Sequence, residues 1–139
     1  MAFRPYLFFG GNCREAFTRY QEVFGGELTL ITFGDMPESD MPEANSPDKA
    51  DWIAHAALMH DGQLLMGSDD PMADPFGPVQ GMQVNCSVSS PEEAERVFAG
   101  LSEGGQAHMP IAPTSWSPAF GMCVDRFGTP WMVSADPTG

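Results

Sequence analysis

Two stretches of this chain, 78 residues apart, carry one pattern, and that repetition restricts the fold more than any other feature. Residues 5–27, PYLFFGGNCREAFTRYQEVFGGE, open with a short aromatic run that ends at Gly10-Gly11, as a strand stopped by a turn does. Asn12, followed three residues later by Glu15, makes a capping box: the Asn12 side chain accepts from the Glu15 amide, and the Glu15 carboxylate accepts from the Asn12 amide. Ala16, Phe17, Tyr20, Val23 and Phe24 then fall on one apolar stripe at helical spacing, and Gly25-Gly26 ends the helix. The pattern returns at Ser90-Pro91-Glu92-Glu93, a second capping box with proline at the first helical position. Ala94, Val97, Phe98 and Leu101 form the second stripe, and Gly104-Gly105 stops it. On the same shift the alternating run Gln83–Val88 takes the place of Pro5–Gly10 as the preceding strand.

A second pair of segments matches at a shift of 66, Leu58–Asp70 (LMHDGQLLMGSDD) over Val124–Asp136 (VDRFGTPWMVSAD). Each reads as a hairpin, turning at Asp61-Gly62 and at Phe127-Gly128. Together the matches define two β-α-β-β-β modules, about 1–70 and 80–137, in a single α+β domain. The first module carries about twelve extra residues, an acidic loop near 34–51. Phe33–Asp51 holds three prolines and six acids against one lysine, the composition of a solvated loop. Only two copies of a period near 70 argue for paired modules and against a solenoid.

The remaining bounds are quickly drawn. A chain of 139 residues, 42% apolar, makes one domain with a real core. No apolar run reaches the about 18 residues that span a bilayer, and Met1–Arg4 leads straight into a strand with no signal peptide, so the expected setting is cytoplasmic. Cys13, Cys86 and Cys123 are odd in number and lack C-x-x-C spacing, which points away from a disulfide framework and from a zinc knuckle. A formal charge of −13, with only six Lys and Arg, disfavours nucleic acid and anionic membranes as partners. Such an acidic balance serves solubility.

Candidate chemistry is sparse. His55 lies in the strand-like run Ile53–Leu58, where alternation sets it on one face with Ile53 and Ala57. It reads either as a general base or metal ligand, or as a hydrogen-bonded strand histidine. His60 and His108 are scattered, and no H-x-x-x-H spacing joins the three. Cys13 follows the first helix cap, where the helix dipole favours a thiolate, but it has no base near it in sequence and reads as inert. Cys86 and Cys123 read as small core residues. The turn Phe9-Gly10-Gly11-Asn12 lacks the G-x-G-x-x-G spacing of a dinucleotide loop, so no cofactor is expected there. Trp116-Ser117-Pro118-Ala119-Phe120 places two aromatics around a proline, suited either to stacking on a planar ligand or to lid packing.

These residues carry a resemblance. Pro5-Tyr6-Leu7, Gly11-Asn12-Cys13, Phe33-Gly34-Asp35-Met36-Pro37, Ile53-Ala54-His55-Ala56, Trp116, Phe120-Gly121 and Asp125-Arg126-Phe127-Gly128-Thr129-Pro130-Trp131-Met132 are similar to the vicinal-oxygen-chelate superfamily (glyoxalase, bleomycin-resistance, extradiol dioxygenase), and within it to the PhnB-like group. The resemblance covers nearly the whole chain. It implies that the two modules build a half-open eight-stranded barrel around a cavity, whose metal-dependent members draw one ligand from the first and last strand of each module. Carried over, those positions fall on or within a residue of Pro5, Met66, Gln83 and Met132, a poor set for a hard metal, since only Gln83 offers an oxygen and a thioether prefers soft ions. The expected function is therefore binding or sequestering of a small molecule with no metal at the usual site, in a cavity lined by Phe8, His55, Met66, Gln83, Trp116, Phe120 and Met132. The competing expectation is a lyase, isomerase or dioxygenase with a displaced metal on His55. Exposed sheet edges, together with the resemblance, imply a two-fold homodimer.

Overall fold

The computed structural model describes residues 1–36, 47–71 and 79–137. The chain divides into two compact units, Met1–Phe76 and Gly77–Gly139. The middle of the acidic insertion, residues 37–46, lies outside the described residues.

In the first unit β1 (Tyr6–Phe9), α1 (Cys13–Phe24), β2 (Glu27–Thr32), β3 (Ile53–His60) and β4 (Gln63–Asp69) follow in the expected β-α-β-β-β order. The sheet order is β1-β4-β3-β2, with β1 parallel to β4 and the other pairs antiparallel. In the second unit β5 (Val84–Val88), α2 (Pro91–Ser102), β6 (Gln106–Ala112), β7 (Phe120–Val124) and β8 (Pro130–Ala135) repeat it in the order β5-β8-β7-β6. The expected α+β architecture of two such modules is what the chain adopts. In the first hairpin Asp61 and Gly62 have φ of 49° and 75°, the paired positive values of the turn type that Asp-Gly favours.

Both helices bury the stripe the sequence marks. Ala16, Phe17, Tyr20 and Val23 are buried in the first unit, and Ala94, Val97, Phe98 and Leu101 in the second. Each aromatic of that kind contributes about 1.5–3 kcal/mol by leaving water, so packing and not propensity holds these helices. Close approach to the sheet requires glycine beneath each. A Cβ on Gly67 of β4 would stand 2.7 Å from the Leu7 carbonyl and 2.8 Å from the Phe17 ring. In the second unit a Cβ on Gly121 of β7 would stand 2.9 Å from the Phe98 ring.

The helix starts differ from expectation in one case. Ser90 does accept from the Glu93 amide at 3.2 Å. The Asn12 side chain makes no cap. Its role is taken by Asp69, almost fully buried at the end of β4, whose Oδ1 accepts from the Gly11 and Cys13 amides at 2.9 and 3.0 Å while Oδ2 accepts from Ile53 at 2.8 Å. A carboxylate outcompetes an amide oxygen at a helix N-terminus because it adds charge to the hydrogen bond.

The strand correspondence is also corrected. Tyr6 pairs with Met66 and Asn85 with Met132, so the leading strands match at a shift of 79 (85 − 6), whereas the helices, which begin at Cys13 and Pro91, match at 78 (91 − 13). The extra residue of the first unit sits in its strand-to-helix turn, Gly10-Gly11-Asn12 against Ser89-Ser90. Gly11, at φ 116°, takes a backbone conformation that L side chains rarely adopt, and the Trp52 ring lies 3.0 Å from where its Cβ would be. Lys49 stands over the Trp52 ring at 5.0 Å and donates to the Pro71 carbonyl at 2.7 Å. With Phe33 and Gly34 donating to the Trp52 and Ala50 carbonyls, the root of the acidic insertion is tied to the first unit.

Candidate functional site

Each sheet has one face under its helix and one without. In the first unit the contact of Phe17 with Gly67 identifies the helix side as that of Leu7, Gly67 and Ala56, which pair across the strands. Alternation then sets Tyr6, Met66, Ala57 and Thr29 in one row of the free face, with Phe8 and Ser68 beside them and His55 opposite Ile31. Of the residues expected to line a site, Phe8, His55 and Met66 therefore share this face. Ile53 does not continue it. The register skips a residue between Ile31–His55 and Thr32–Ile53, and Ile53 is fully buried with its amide on Asp69.

His55 is half-buried and hydrogen-bonded. Tyr6 Oη lies 3.2 Å from His55 Nδ1, the two rings are 5.8 Å apart, and the Phe8 ring lies 5.2 Å from that of Tyr6. Phe8 itself is 55% exposed, unusual for a phenylalanine in mid-strand. No strand position of this face is Lys or Arg, and its one acidic strand position, Glu27, is at the far end of β2. Tyr6 was absent from the expected lining, although its alternation with Phe8 in the sequence carries the signal.

In the second unit Asn85 and Ser87 of β5 share a face with Met132, Ser134, Met122 and Phe120. Phe120 and Met132 thus come together. Gln83 is exposed and precedes β5, and the residue paired with Met132 is Asn85. Likewise Met66 is paired with Tyr6, and Pro5 lies before β1. Tyr6 thus falls within the one residue allowed around Pro5, whereas the position implied at Gln83 is corrected by two residues to Asn85, because the parallel register with β8, which the sequence does not display, fixes the pairing. Trp116 is 60% exposed, edge-on to Phe120 at 5.4 Å and 74°. Its loop is rigidly held. Buried Ser117 bonds the Ala135 carbonyl at 2.6 Å and the Ala119 carbonyl at 2.9 Å, and its amide donates to Thr114 at 3.1 Å. Sequence reasoning noticed the aromatics and passed over the serine that fixes them.

All three thiols are held protonated. Burial, reinforced by the negative charge of Asp69, raises the Cys13 pKa far above its ordinary value, and its neighbour Arg14 only partly offsets this. The favourable dipole at the helix start is overridden because Asp69 already takes the amides there. Burial also pushes Cys86 and Cys123 up to about 11. Among the described residues no three His, Cys, Asp or Glu side chains converge as metal ligands.

A pair of such modules, each a helix on a four-stranded sheet with the first strand parallel to the fourth, is the glyoxalase-like fold, shared with solved structures described as glyoxalase/bleomycin resistance/dioxygenase proteins from Nocardioides and Burkholderia phytofirmans. Within that fold the chain belongs to the 3-demethylubiquinone-9 3-methyltransferase family, the PhnB-like group, whose pattern it matches over residues 1–134. It is similar to the protein YjdN of Escherichia coli K12, 34% identical over 139 residues covering 96% of this chain and 95% of that one. It is also similar to protein PA1353 of Pseudomonas aeruginosa, whose crystal structure superposes with a TM-score of 0.86 at 42% identity and 98% coverage of both chains. A PhnB protein of Bacillus cereus shares the fold at a TM-score of 0.73 and 23% identity, covering 97% of this chain and 99% of that one.

Proposed function

We propose that this chain binds or sequesters a small, mostly apolar molecule on the helix-free faces of its sheets. The observation that carries the reading is the free face of the first sheet, where Tyr6, Phe8 and Ile31 stand exposed beside one oriented polar group, His55. Small-ligand sites have this character, an apolar wall with a few fixed polar groups. In the second unit the rigid loop that presents Trp116 over Phe120 offers a stacking surface of the same kind. Three unpaired thiols suit a cytoplasmic setting. The edge strands β1 and β2, and β5 and β6, suit a two-fold homodimer that covers some of them.

Thermal unfolding against a panel of small aromatic carbonyls and phenols tests the binding reading. At least one compound raises Tm, and Phe8→Ala removes the rise. Failure of the whole panel in the wild type sinks it. Metal analysis of freshly purified protein tests the competing lyase or dioxygenase reading: stoichiometric Mn, Fe, Ni or Zn that is lost in His55→Ala would replace sequestration by metal-dependent chemistry.

A further inference from the structure

On the free face of the first sheet one hydrogen bond joins side chains from strands that are not neighbours. Tyr6 is on β1 and His55 on β3, with β4 between them. The Tyr6 side chain therefore reaches across a strand to place Oη 3.2 Å from Nδ1. Of the two groups, imidazole nitrogen is the better acceptor and the phenol the better proton donor, so the bond runs from Tyr6 O–H to Nδ1. A neutral imidazole has a single ring proton, and occupying the Nδ1 lone pair leaves that proton on Nε2. Among the described residues Nε2 has no hydrogen-bond partner.

We propose that Tyr6 is a positioning residue that holds His55 as the Nε2–H tautomer, and that this N–H recognises an acceptor oxygen on a planar aromatic ligand, a ring-bound carbonyl or phenol. The ligand class follows from what surrounds the donor. Phe8, Ile31, Ala57 and Met66 supply apolar surface, Ser68 and Thr29 supply hydroxyls, and the lack of Lys and Arg at the strand positions of the face disfavours phosphate esters and other strongly anionic molecules. This rests on the reading that the ligand binds this face, and it adds which atom selects it.

Two measurements on one sample test it. Long-range proton–nitrogen NMR of histidine-labelled, ligand-free protein at mildly alkaline pH is expected to show the Nε2–H pattern for His55. Tyr6→Phe, which keeps the ring, is expected to turn that pattern into an average of both tautomers. Titration with acetophenone is then expected to shift Phe8, Ile31 and the His55 ring. Its shape-matched analogue α-methylstyrene, with CH2 in place of the carbonyl oxygen, is expected to bind about fivefold more weakly, the value of one net hydrogen bond. An Nδ1–H pattern in the wild type, or a pattern unmoved by Tyr6→Phe, overturns the tautomer assignment whether or not a probe binds. Equal affinity for the two probes overturns the role of the donor. If neither probe shifts this face while the Nε2–H pattern stands, the binding reading of the face fails, and recognition by Nε2 fails with it.

Discussion

Among the described residues each unit buries one carboxylate, and each spends it on a different joint. Asp69 ties the first strand-to-helix turn of its unit to the end of β4 and the start of β3. Asp125 in the second unit closes the β7–β8 turn, its Oδ1 accepting from the Phe127 and Thr129 amides and its Oδ2 from the Trp131 indole, all at 2.9 Å. The residue equivalent to Asp69 in the second unit is Ala135, and there a serine hydroxyl suffices to start the helix. The same topology thus tolerates a staple at either of two places. The turn with the awkward backbone receives it: Gly11 in the first unit, and the five-residue hairpin connection in the second.

The largest effects should be alike in the two units. Tyr20→Ala and Phe98→Ala are each expected to cost about 3–5 kcal/mol in denaturant titration, since both rings are buried against a sheet. A near-neutral result for either would end the equivalence of the helices. The staples should separate the units. Asp69→Ala strands three amides, two of them buried, and is expected to cost about 3 kcal/mol, against about 1 kcal/mol for Ser90→Ala. Equal losses would show that the carboxylate does no more than an ordinary cap.

How much of this was legible beforehand follows from the same comparison. The stripes, the helix stops and the hairpins are periodic or local signals, and Tyr20, Phe98 and Asp61-Gly62 are where the sequence puts them. Asp69 was unreadable as a cap because its partners lie 58 and 56 residues away, and Asn12 offered a nearer and plausible candidate. The position implied at Gln83 missed Asn85 by two residues for a related reason. Helix and hairpin shifts were both visible, but the parallel register that fixes which residue faces Met66 or Met132 is a long-range contact. Of the candidate site, Phe8, His55 and Met66 do share a face, Met66 having been indicated by the resemblance and not by alternation, while Tyr6 and Ser117 act through partners that no spacing announces.

Smaller effects should sharpen the picture. Gly67→Ala and Gly121→Ala each overpack a helix-to-sheet contact and are expected to cost about 1–3 kcal/mol. Phe17→Leu should relieve part of the first, the Leu7 carbonyl contact remaining, and leave the second unchanged, and Phe98→Leu the reverse. Relief in the wrong unit would break the assignment of ring to glycine. The smallest effect is alkaline. Cys86 and Cys123 keep their protons in the fold up to about 11, while the unfolded chain releases them near 9.0, so their contribution is intact below pH 9.0 and declines as pH rises through that interval. Urea midpoints should fall as pH rises past 9.0, and Ala at both positions should lessen the decline, leaving the part that buried Cys13 contributes. An unaltered slope would assign it to other groups.

The additional residue in Gly10-Gly11-Asn12 also has a genetic meaning. Were the two halves descended from one ancestral copy, a single codon gained or lost in a three-residue turn would have decided which strand positions are screened for packing and which for recognition. Leu7 and Cys86 occupy the screened-for-packing register, Tyr6 and Asn85 the other. Divergence at Tyr6 and Asn85, on the helix-free faces, can therefore proceed while leaving heritable foldability untouched.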